Sequence, residues 1–340
     1  MNLPIPLTVL TGYLGSGKTT LLKAMLKRPE LGGTAVIVNE FGEVGLDDAL
    51  IEAAKEDTVL LPSGCVCCAV RGDLVNALVK LHDDMMRGTI PDLRRVVLET
   101  TGLADPAPIA QTLVNDRDLF RIYRLDGIIT TVDAQHGLDQ LDETFESARQ
   151  IAMADRVVLT KIDLVEADVA ASVTAQVRLL NPAAPILQAV KGAIEPSQIF
   201  GLNAYEIRDG ADVGRWLAAD RYATHEGCDH SHDLHDHGHL HGIRSFCLTF
   251  DEPLEASKLE ALIELLRATQ GSKLLRVKGV LNVRQADQPF VIHGVQHVFY
   301  PVEMLERWPT DDHRSRIVFI TRDLEEAAVR EHFAPLNPAA

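Results

Sequence analysis

Short apolar runs recur through the first half of the chain, and each run ends at glycine or at polar residues. They are rich in β-branched side chains, which is typical of strands buried on both faces. Helix-like segments separate them, so the pattern predicts a mainly parallel, doubly wound α/β sheet with helices on both faces and right-handed crossovers. The predicted strands lie at residues 7–11, 34–38, 58–61, 95–99, 127–133, 156–159 and 185–187.

A different pattern begins after residue 243. Phe246, Leu248 and Phe250 alternate with other side chains, as expected for a strand with one buried face. An amphipathic helix follows around Leu259, and further strands are predicted at 274–283, 290–292, 298–300 and 317–321, before a last helix at 324–333. This second part is therefore predicted to be a smaller α+β domain.

The predicted domain boundaries follow from these two patterns and from the composition between them. Residues 1–220 are assigned to the α/β domain, which also includes helix-like stretches at 195–200 and 213–217. Residues 221–242 have almost no core-forming side chains and are predicted to be a linker. Residues 243–336 form the C-terminal α+β domain.

The first apolar run leads into a glycine-rich loop, Gly12-Tyr13-Leu14-Gly15-Ser16-Gly17-Lys18-Thr19-Thr20. This is G-x-x-x-x-G-K-[ST] in the strand–loop–helix context that a phosphate loop requires. Consecutive N–H groups can then form an anion nest, with Lys18 on the β/γ-phosphates and the Thr19 hydroxyl on Mg²⁺. The plain alternative is a glycine-rich turn without a ligand. A dinucleotide-binding turn fits less well, because Thr20 stands where the third glycine would be.

The strand at 95–99 ends in Glu99-Thr100-Thr101-Gly102. An acid at the end of a buried strand, in a chain with a phosphate loop, predicts a Walker B carboxylate that holds Mg²⁺ directly or through water. Gly102 is predicted to bring a backbone N–H near the γ-phosphate. The alternative is a solvated carboxylate at a strand end.

Thr160-Lys161-Ile162-Asp163 follows another predicted strand. Asp163 can accept hydrogen bonds from N1–H and the exocyclic amine of guanine, and the Lys161 stem can cover the base. This is the [NT]KxD guanine signature, with threonine where asparagine is usual and without the amide's paired donor and acceptor. The alternative is that Asp163 is the N-cap of the following helix.

Three thiols lie within four residues, at Cys65, Cys67 and Cys68. Such convergence predicts a site for a borderline-soft ion such as Zn²⁺. A reactive redox pair and buried small side chains are the alternatives. Three cysteines do not complete a tetrahedral site, so Glu40, a histidine or water is needed as well. Glu40 follows the second predicted strand, where ligands bind in open α/β sheets, although a solvated loop is equally compatible.

The predicted linker is rich in histidine. Imidazoles interspersed with aspartate suit Zn²⁺, Ni²⁺ or Co²⁺, whereas the alternative is a polar spacer. The candidate ligands are His230, His232, His235, His237, His239 and His241. In the C-terminal domain, His293 and His297 are expected to be part of a sheet rather than metal ligands.

Composition narrows the class of protein. The formal net charge of −16 argues against nucleic-acid binding and fits a chain that handles cations. No apolar stretch is long enough to cross a bilayer, and no basic residue precedes Lys18, so neither a membrane span nor a signal peptide is expected. A cytoplasmic protein is predicted, in which the five cysteines serve thiol or metal chemistry rather than disulfides.

Together these residues resemble the CobW-type GTPases, the metallochaperone branch of the P-loop GTPases that also holds the urease and hydrogenase accessory proteins. The similar features are the loop at 12–20, Asn39-Glu40-Phe41-Gly42, Gly64-Cys65-Val66-Cys67-Cys68, Glu99-Thr100-Thr101-Gly102, the histidine-rich stretch and the small C-terminal domain. Val38 departs from the family, because glutamate commonly precedes the Asn-Glu-Phe-Gly segment. The resemblance implies GTP-dependent delivery of a divalent metal to a client metalloprotein.

Three functions compete at this point. The first is a GTP-hydrolysing metallochaperone that uses Mg²⁺ with GTP, carries zinc, or cobalt as second choice, and forms a GTP-dependent homodimer. The second is a metal store or sensor with a slow GTP switch. The third, an ATP-dependent small-molecule kinase with a structural zinc, is disfavoured by Lys161 and Asp163.

Overall fold

The computed structural model describes residues 4–39, 58–63, 71–202, 217, 240–308 and 310–336. The chain divides into two compact units, one of Met1–Ala175 with Pro185–Ala204 and one of Gln176–Ala184 with Tyr205–Ala340. The predicted linker, residues 221–242, lies almost wholly outside the described residues, so the domain boundaries stay predictions.

The first unit contains a parallel sheet and its flanking helices. Its described strands are β1 Ile5–Gly12, β2 Thr34–Asn39, β3 Val59–Ser63, β4 Arg95–Glu99, β5 Tyr123–Asp133, β6 Arg156–Thr160 and β7 Ile186–Ala189. Its described helices are α1 Lys18–Leu26, α2 Arg71–Met86, α3 Ala107–Asn115, α4 Arg117–Ile122, α5 Gly137–Glu143, α6 Phe145–Met153 and α7 Ala167–Leu180. The end of α7, from residue 176, is assigned to the second unit.

All pairings in this sheet are parallel, in the order β3-β2-β4-β1-β5-β6-β7. Ile129 of β5 packs in one core cluster with Leu21 and Leu22 of α1. The hydroxyl of the next residue, Thr130, donates to the carbonyl of Gln150 on α6. Successive side chains of a strand point to opposite faces, so helices cover both faces and the predicted doubly wound sheet is confirmed.

The second unit contains an antiparallel sheet in the order β11-β10-β9-β13-β8, with β12 paired to β10. Two helices, α8 Ala256–Gln270 and α9 Glu326–Phe333, accompany it. Phe319 of β13 is fully buried, stacks on Phe246 and packs at a tilt against Phe333, so one apolar cluster joins the sheet to α9. Its strands are β8 Ile243–Phe250, β9 Leu274–Leu281, β10 Phe290–Val295, β11 Val298–Phe299, β12 Glu303–Met304 and β13 Ser315–Arg322. The predicted α+β class of this part is confirmed.

Two local predictions fare less well. Residues 195–200 were expected to be helical, yet they form only a 3₁₀ turn at Pro196–Gln198, since proline at its first position pre-sets a short turn. The sequence pattern also missed β12, a two-residue strand too short to show alternation. Of the predicted helix at 213–217, only Leu217 is described; it is helical and buried.

His293 illustrates a buried imidazole in this second sheet. It lies on β10 opposite Lys278 of β9, and its ring packs against Tyr300 with centroids 4.3 Å apart. Burial, reinforced by the positive charges of Arg276 and Lys278, lowers the pKa of His293 well below 6.5. His297 lies in the turn between β10 and β11, beside Gly271.

We expect His293 to make the protein less stable in mild acid. Below about pH 6.5 the unfolded chain takes up a proton at this histidine and the folded chain does not, so the free energy of unfolding falls by up to about 1.4 kcal/mol per pH unit. His293→Gln should remove that part of the pH dependence between pH 6.5 and 5 in urea denaturation. His82→Gln, at a half-exposed position on α2, is the control. If the His293 variant keeps the same pH dependence of the free energy of unfolding, the lowered pKa of His293 does not cause it.

Candidate functional site

Four adjacent strands deliver the predicted nucleotide residues to one edge of the first sheet. In the order β4-β1-β5-β6, these strands end at Glu99, Gly12, Asp133 and Thr160. Because they are parallel, their carboxyl ends meet at the edge where open α/β sheets bind ligands. The phosphate-loop and guanine motifs, far apart in sequence, are therefore neighbours in the fold.

The phosphate loop is fitted closely to β5. Gly12 has φ 142°, and a Cβ there would lie 2.3 Å from the Thr131 hydroxyl oxygen, so the position requires glycine. The Ser16 and Thr131 hydroxyls are 2.6 Å apart and buried. Gly17, with φ 92°, precedes the first residue of α1, which is Lys18. The loop is thus held by the sheet next to it.

Lys18 is largely buried inside this loop. Its Nζ donates to the carbonyl oxygens of Gly12, at 2.8 Å, and Tyr13, at 3.1 Å. Burial lowers the pKa of Lys18, while the nearby carboxylate of Glu99 opposes that shift. The ammonium group is thus positioned at the centre of the loop.

Thr19 and Glu99 form a pair of oxygen donors beside the loop. The Thr19 hydroxyl donates to Oε1 of Glu99 at 2.6 Å, which links the start of α1 to the end of β4. Glu99 is 4 % exposed. Hard oxygen donors from one hydroxyl and one carboxylate are the kind that Mg²⁺ prefers, so the residues fit the predicted cation.

Gly102 lies directly against the phosphate loop. A Cβ at this position would lie 2.6 Å from the backbone nitrogen of Leu14 and 2.7 Å from its Cα. No side chain fits there without displacing the loop backbone. Glycine at position 102 therefore allows the segment after β4 to touch the phosphate loop.

The structure explains what Thr160 does in place of asparagine. Its hydroxyl lies 2.7 Å from the carbonyl oxygen of Ser16 and 3.1 Å from that of Val132, so it connects the guanine motif to the phosphate loop and to β5. One hydroxyl therefore links three segments of the site.

Lys161 and Asp163 follow Thr160 in a short 3₁₀ turn. Lys161 adopts φ 55°, which turns the chain at the end of β6. Asp163 lies within the turn Ile162–Leu164 and is exposed. The next helix, α7, begins only at Ala167, so the alternative that Asp163 is its N-cap is wrong.

Asp133 lies at this site but belongs to none of the sequence motifs. Its Oδ2 accepts from Lys161 Nζ at 2.6 Å and lies 3.2 Å from Nδ1 of His136. Burial opposes its ionisation, but hydrogen bonds from Lys161, the Gln135 N–H and His136 hold its pKa below the usual value. A carboxylate at the end of an apolar strand was the available signal.

Gln150 and Thr131, which also contact the site's loops, belong to no motif.

The predicted zinc residues lie outside the described part of the chain. These are Glu40, Cys65, Cys67, Cys68, His230, His232, His235, His237 and His239. His241 is described and lies within the short 3₁₀ turn Leu240–Gly242, with φ 55°. Among the described residues, no group of three or more His, Cys, Asp or Glu side chains could hold a metal ion. The backbone register still pairs Val38 with Glu99 on one side and with Pro62 on the other.

A cavity of about 320 Å³ lies away from this edge. Its lining includes Arg95, Asp126 and Phe200, but none of the predicted nucleotide or metal residues.

Within the described ranges, no helix is both long and apolar enough to cross a membrane.

Comparison with known families agrees with the geometry. The CobW/HypB/UreG nucleotide-binding domain matches residues 6–188, and the cobalamin synthesis protein cobW C-terminal domain matches residues 243–336. The first match covers all but the outermost residues of the parallel sheet, and the second covers the antiparallel sheet.

Individual relatives cover nearly the whole chain. The zinc chaperone YjiA of Escherichia coli is 34% identical over 98% of this chain and 99% of its own length. The zinc chaperone CobW of Pseudomonas aeruginosa is 33% identical, covering 96% and 89%. The crystal structure of zinc-bound YjiA GTPase from E. coli aligns with a TM-score of 0.74 at 31% identity, over 99% of this chain and 100% of that one. The chain therefore belongs to the CobW/HypB/UreG family of P-loop GTPases, in the branch that carries a CobW-type C-terminal domain.

Proposed function

We propose that this GTPase is a metallochaperone that binds zinc at Cys65, Cys67 and Cys68 with Glu40, and delivers it to a client metalloprotein under the control of GTP. The observation that carries the proposal is the register of β2, β3 and β4. Val38 pairs with both Glu99 and Pro62, so β2 and β3 end at the same sheet edge as the Walker B carboxylate, and Glu40 and Cys65 follow those two strands in sequence. Relatives named zinc chaperones support zinc as the cargo. Cobalt is the second choice.

The nucleotide half of the proposal rests on the phosphate loop and its neighbours. The N–H groups of the loop and the dipole of α1 stabilise the phosphates, and Lys18 neutralises charge on the β- and γ-phosphates. Thr19 and Glu99 would hold Mg²⁺, which supplies further charge neutralisation at the phosphates. Gly102 offers a backbone N–H to the γ-phosphate, and Asp163 with Lys161 selects guanine. Lys18 and Glu99 are thus the proposed catalytic residues.

The metal half follows from how a γ-phosphate changes nearby loops. A triphosphate can order the segments that follow strand ends, and its hydrolysis can release them. GTP would then draw Glu40 and the three thiolates into one tight site, and GDP would loosen it. Because the binding free energies of the two ligands are linked, the effect must be mutual. Zinc must therefore strengthen GTP binding by the same factor by which GTP strengthens zinc binding.

A metal store or sensor with a slow GTP switch is the competing function. It uses the same residues but predicts no release of zinc on hydrolysis. A GTP-dependent homodimer is compatible with either function, as an additional expectation. Transfer of zinc to an apo-client separates the two.

The first prediction concerns the nucleotide. Lys18→Ala should weaken GTP binding at least about tenfold, because charge-assisted contacts to the phosphates disappear. Asp163→Ala should abolish the preference for GTP over ATP. Both are measured by isothermal titration calorimetry with Mg²⁺ present. Lys23→Ala, at a half-exposed lysine on the same helix α1, is the matched control and should bind GTP normally. Equal affinity of the unmodified protein for ATP and GTP would contradict the guanine assignment.

The second prediction tests the coupling of zinc to GTP. Zinc affinity, measured with a competing chelator, should be about 5- to 150-fold higher with a non-hydrolysable GTP analogue than with GDP. Replacing Cys67 and Cys68 together by serine should abolish the tight zinc site and the coupling, yet preserve GTP binding in Mg²⁺.

Cys247→Ser is the control for that experiment. Cys247 is a partly buried cysteine on β8, in the second unit, so its replacement should leave zinc affinity and coupling unchanged. Identical zinc affinity in the GTP and GDP states would overturn the switch and favour the storage function.

The third prediction concerns the histidine-rich segment, which we propose loads or buffers metal and takes no part in hydrolysis. Deleting residues 225–241 should lower the zinc stoichiometry and leave the rate of GTP hydrolysis nearly unchanged. Because protonated imidazole is a poor ligand, the lost binding should be the part that fades below about pH 6. If the deletion leaves the stoichiometry unchanged, the segment is a plain spacer.

A further inference from the structure

A buried glutamine on α6 holds the segment that follows Glu99. Gln150 is 1 % exposed, and its Nε2 donates to the carbonyl oxygens of Gly102, at 3.1 Å, and Ala104, at 3.0 Å. Both partners are acceptors, so only the donor end of the amide can face them. The backbone carbonyl of Gln150 in turn accepts from the Thr130 hydroxyl of β5 at 2.8 Å. Gln150 is thus held to the sheet by its backbone carbonyl and to the Gly102 segment by its side-chain amide.

A backbone hydrogen bond and one of the Gln150 bonds together fix the two peptide groups that flank Gly102. The Ala104 N–H donates to the carbonyl oxygen of Thr101 at 3.1 Å, and that carbonyl shares a peptide plane with the Gly102 N–H. Gln150 fixes the following plane through the Gly102 carbonyl. Since both planes are held, the direction of the Gly102 N–H is set before any ligand arrives.

The segment is anchored at both of its ends as well. At its start, Thr100 donates its N–H to Leu10 of β1 at 2.9 Å. At its end, Arg149 of α6 pairs with Asp105 at 2.5 Å, and Asp105 accepts the N–H of Ala107 at the start of α3. Adjacent residues of one helix, Arg149 and Gln150, therefore hold the same six-residue segment, Thr100 to Asp105.

We propose that Gln150 is a positioning residue that fixes the Gly102 peptide for the γ-phosphate, and so sets the preference of this protein for GTP over GDP. The inference rests on the proposed contact between Gly102 and the γ-phosphate. A preorganised donor is worth more than one that must be ordered on binding, because no reorganisation accompanies the contact. GDP lacks the γ-phosphate and gains nothing from that preorganisation. Arg149 supports the same segment from its far end.

The test removes the two N–H donors of the Gln150 amide and keeps a side chain of similar length. Gln150→Met keeps the length of the side chain and removes both hydrogen bonds. We expect GTP affinity to fall about tenfold while GDP affinity stays within about twofold, as measured by calorimetry with Mg²⁺. Amide hydrogen exchange at residues 101–104 should become faster in the variant.

Tyr123→Phe is the matched control. The Tyr123 hydroxyl donates a buried hydrogen bond to the Leu78 carbonyl at 2.8 Å, away from the Gly102 segment. Its loss should cost stability without changing the ratio of GTP to GDP affinity. Arg149→Met removes the ion pair with Asp105 and the contact of the guanidinium with the Phe145 ring, and leaves both Gln150 hydrogen bonds in place. It covers the case in which Gln150→Met does not fold, and it should shift the ratio of GTP to GDP affinity in the same direction by a smaller factor.

The outcomes separate the positioning role from the proposed function. If the unmodified protein does not prefer GTP over GDP, the proposed γ-phosphate contact fails. If that preference exists and Gln150→Met weakens GTP and GDP equally, or changes neither, the positioning role is wrong and Gln150 serves only the fold.

Discussion

The site depends on the parallel pairing of β1 with its two neighbours. β1 pairs with β4 on one side and with β5 on the other. The three strands therefore end at the same edge of the sheet, at Gly12, Glu99 and Asp133. Thr19 reaches Glu99, and Ser16 reaches Thr131, only because those strands end beside the phosphate loop. A register error in either pairing would separate the loop from the carboxylate that faces it.

Much of this arrangement could be predicted from sequence, because its signals are local. Buried strands between helices give the parallel sheet, and Gly-x-x-x-x-Gly-Lys-Thr gives the phosphate loop with the chemistry of Lys18 and Thr19. Glu99 follows from its place at the end of an apolar strand. Family comparison confirms the fold and the class of GTPase.

The residues that sequence missed act through tertiary contacts. Gln150 sits on an amphipathic helix like any other polar residue, and its role depends on which segment packs against it in three dimensions. Asp133 is part of the site because it accepts a hydrogen bond from Lys161, which lies 28 positions later in the chain. The 3₁₀ turn at Pro196–Gln198 was mistaken for a helix because a short apolar-periodic stretch does not reveal its length. Local periodicity cannot report such pairings.

Thr160 has a consequence beyond the choice of base. Its hydroxyl lies within hydrogen-bonding distance of the phosphate loop at Ser16 and of β5 at Val132. The Thr160 hydroxyl therefore connects the segment proposed to receive the base with the loop proposed to receive the phosphates. In the proposed function, a base that fits poorly against Lys161 and Asp163 would disturb the phosphate loop through this hydroxyl. The choice of base would then also affect how well the phosphates are held.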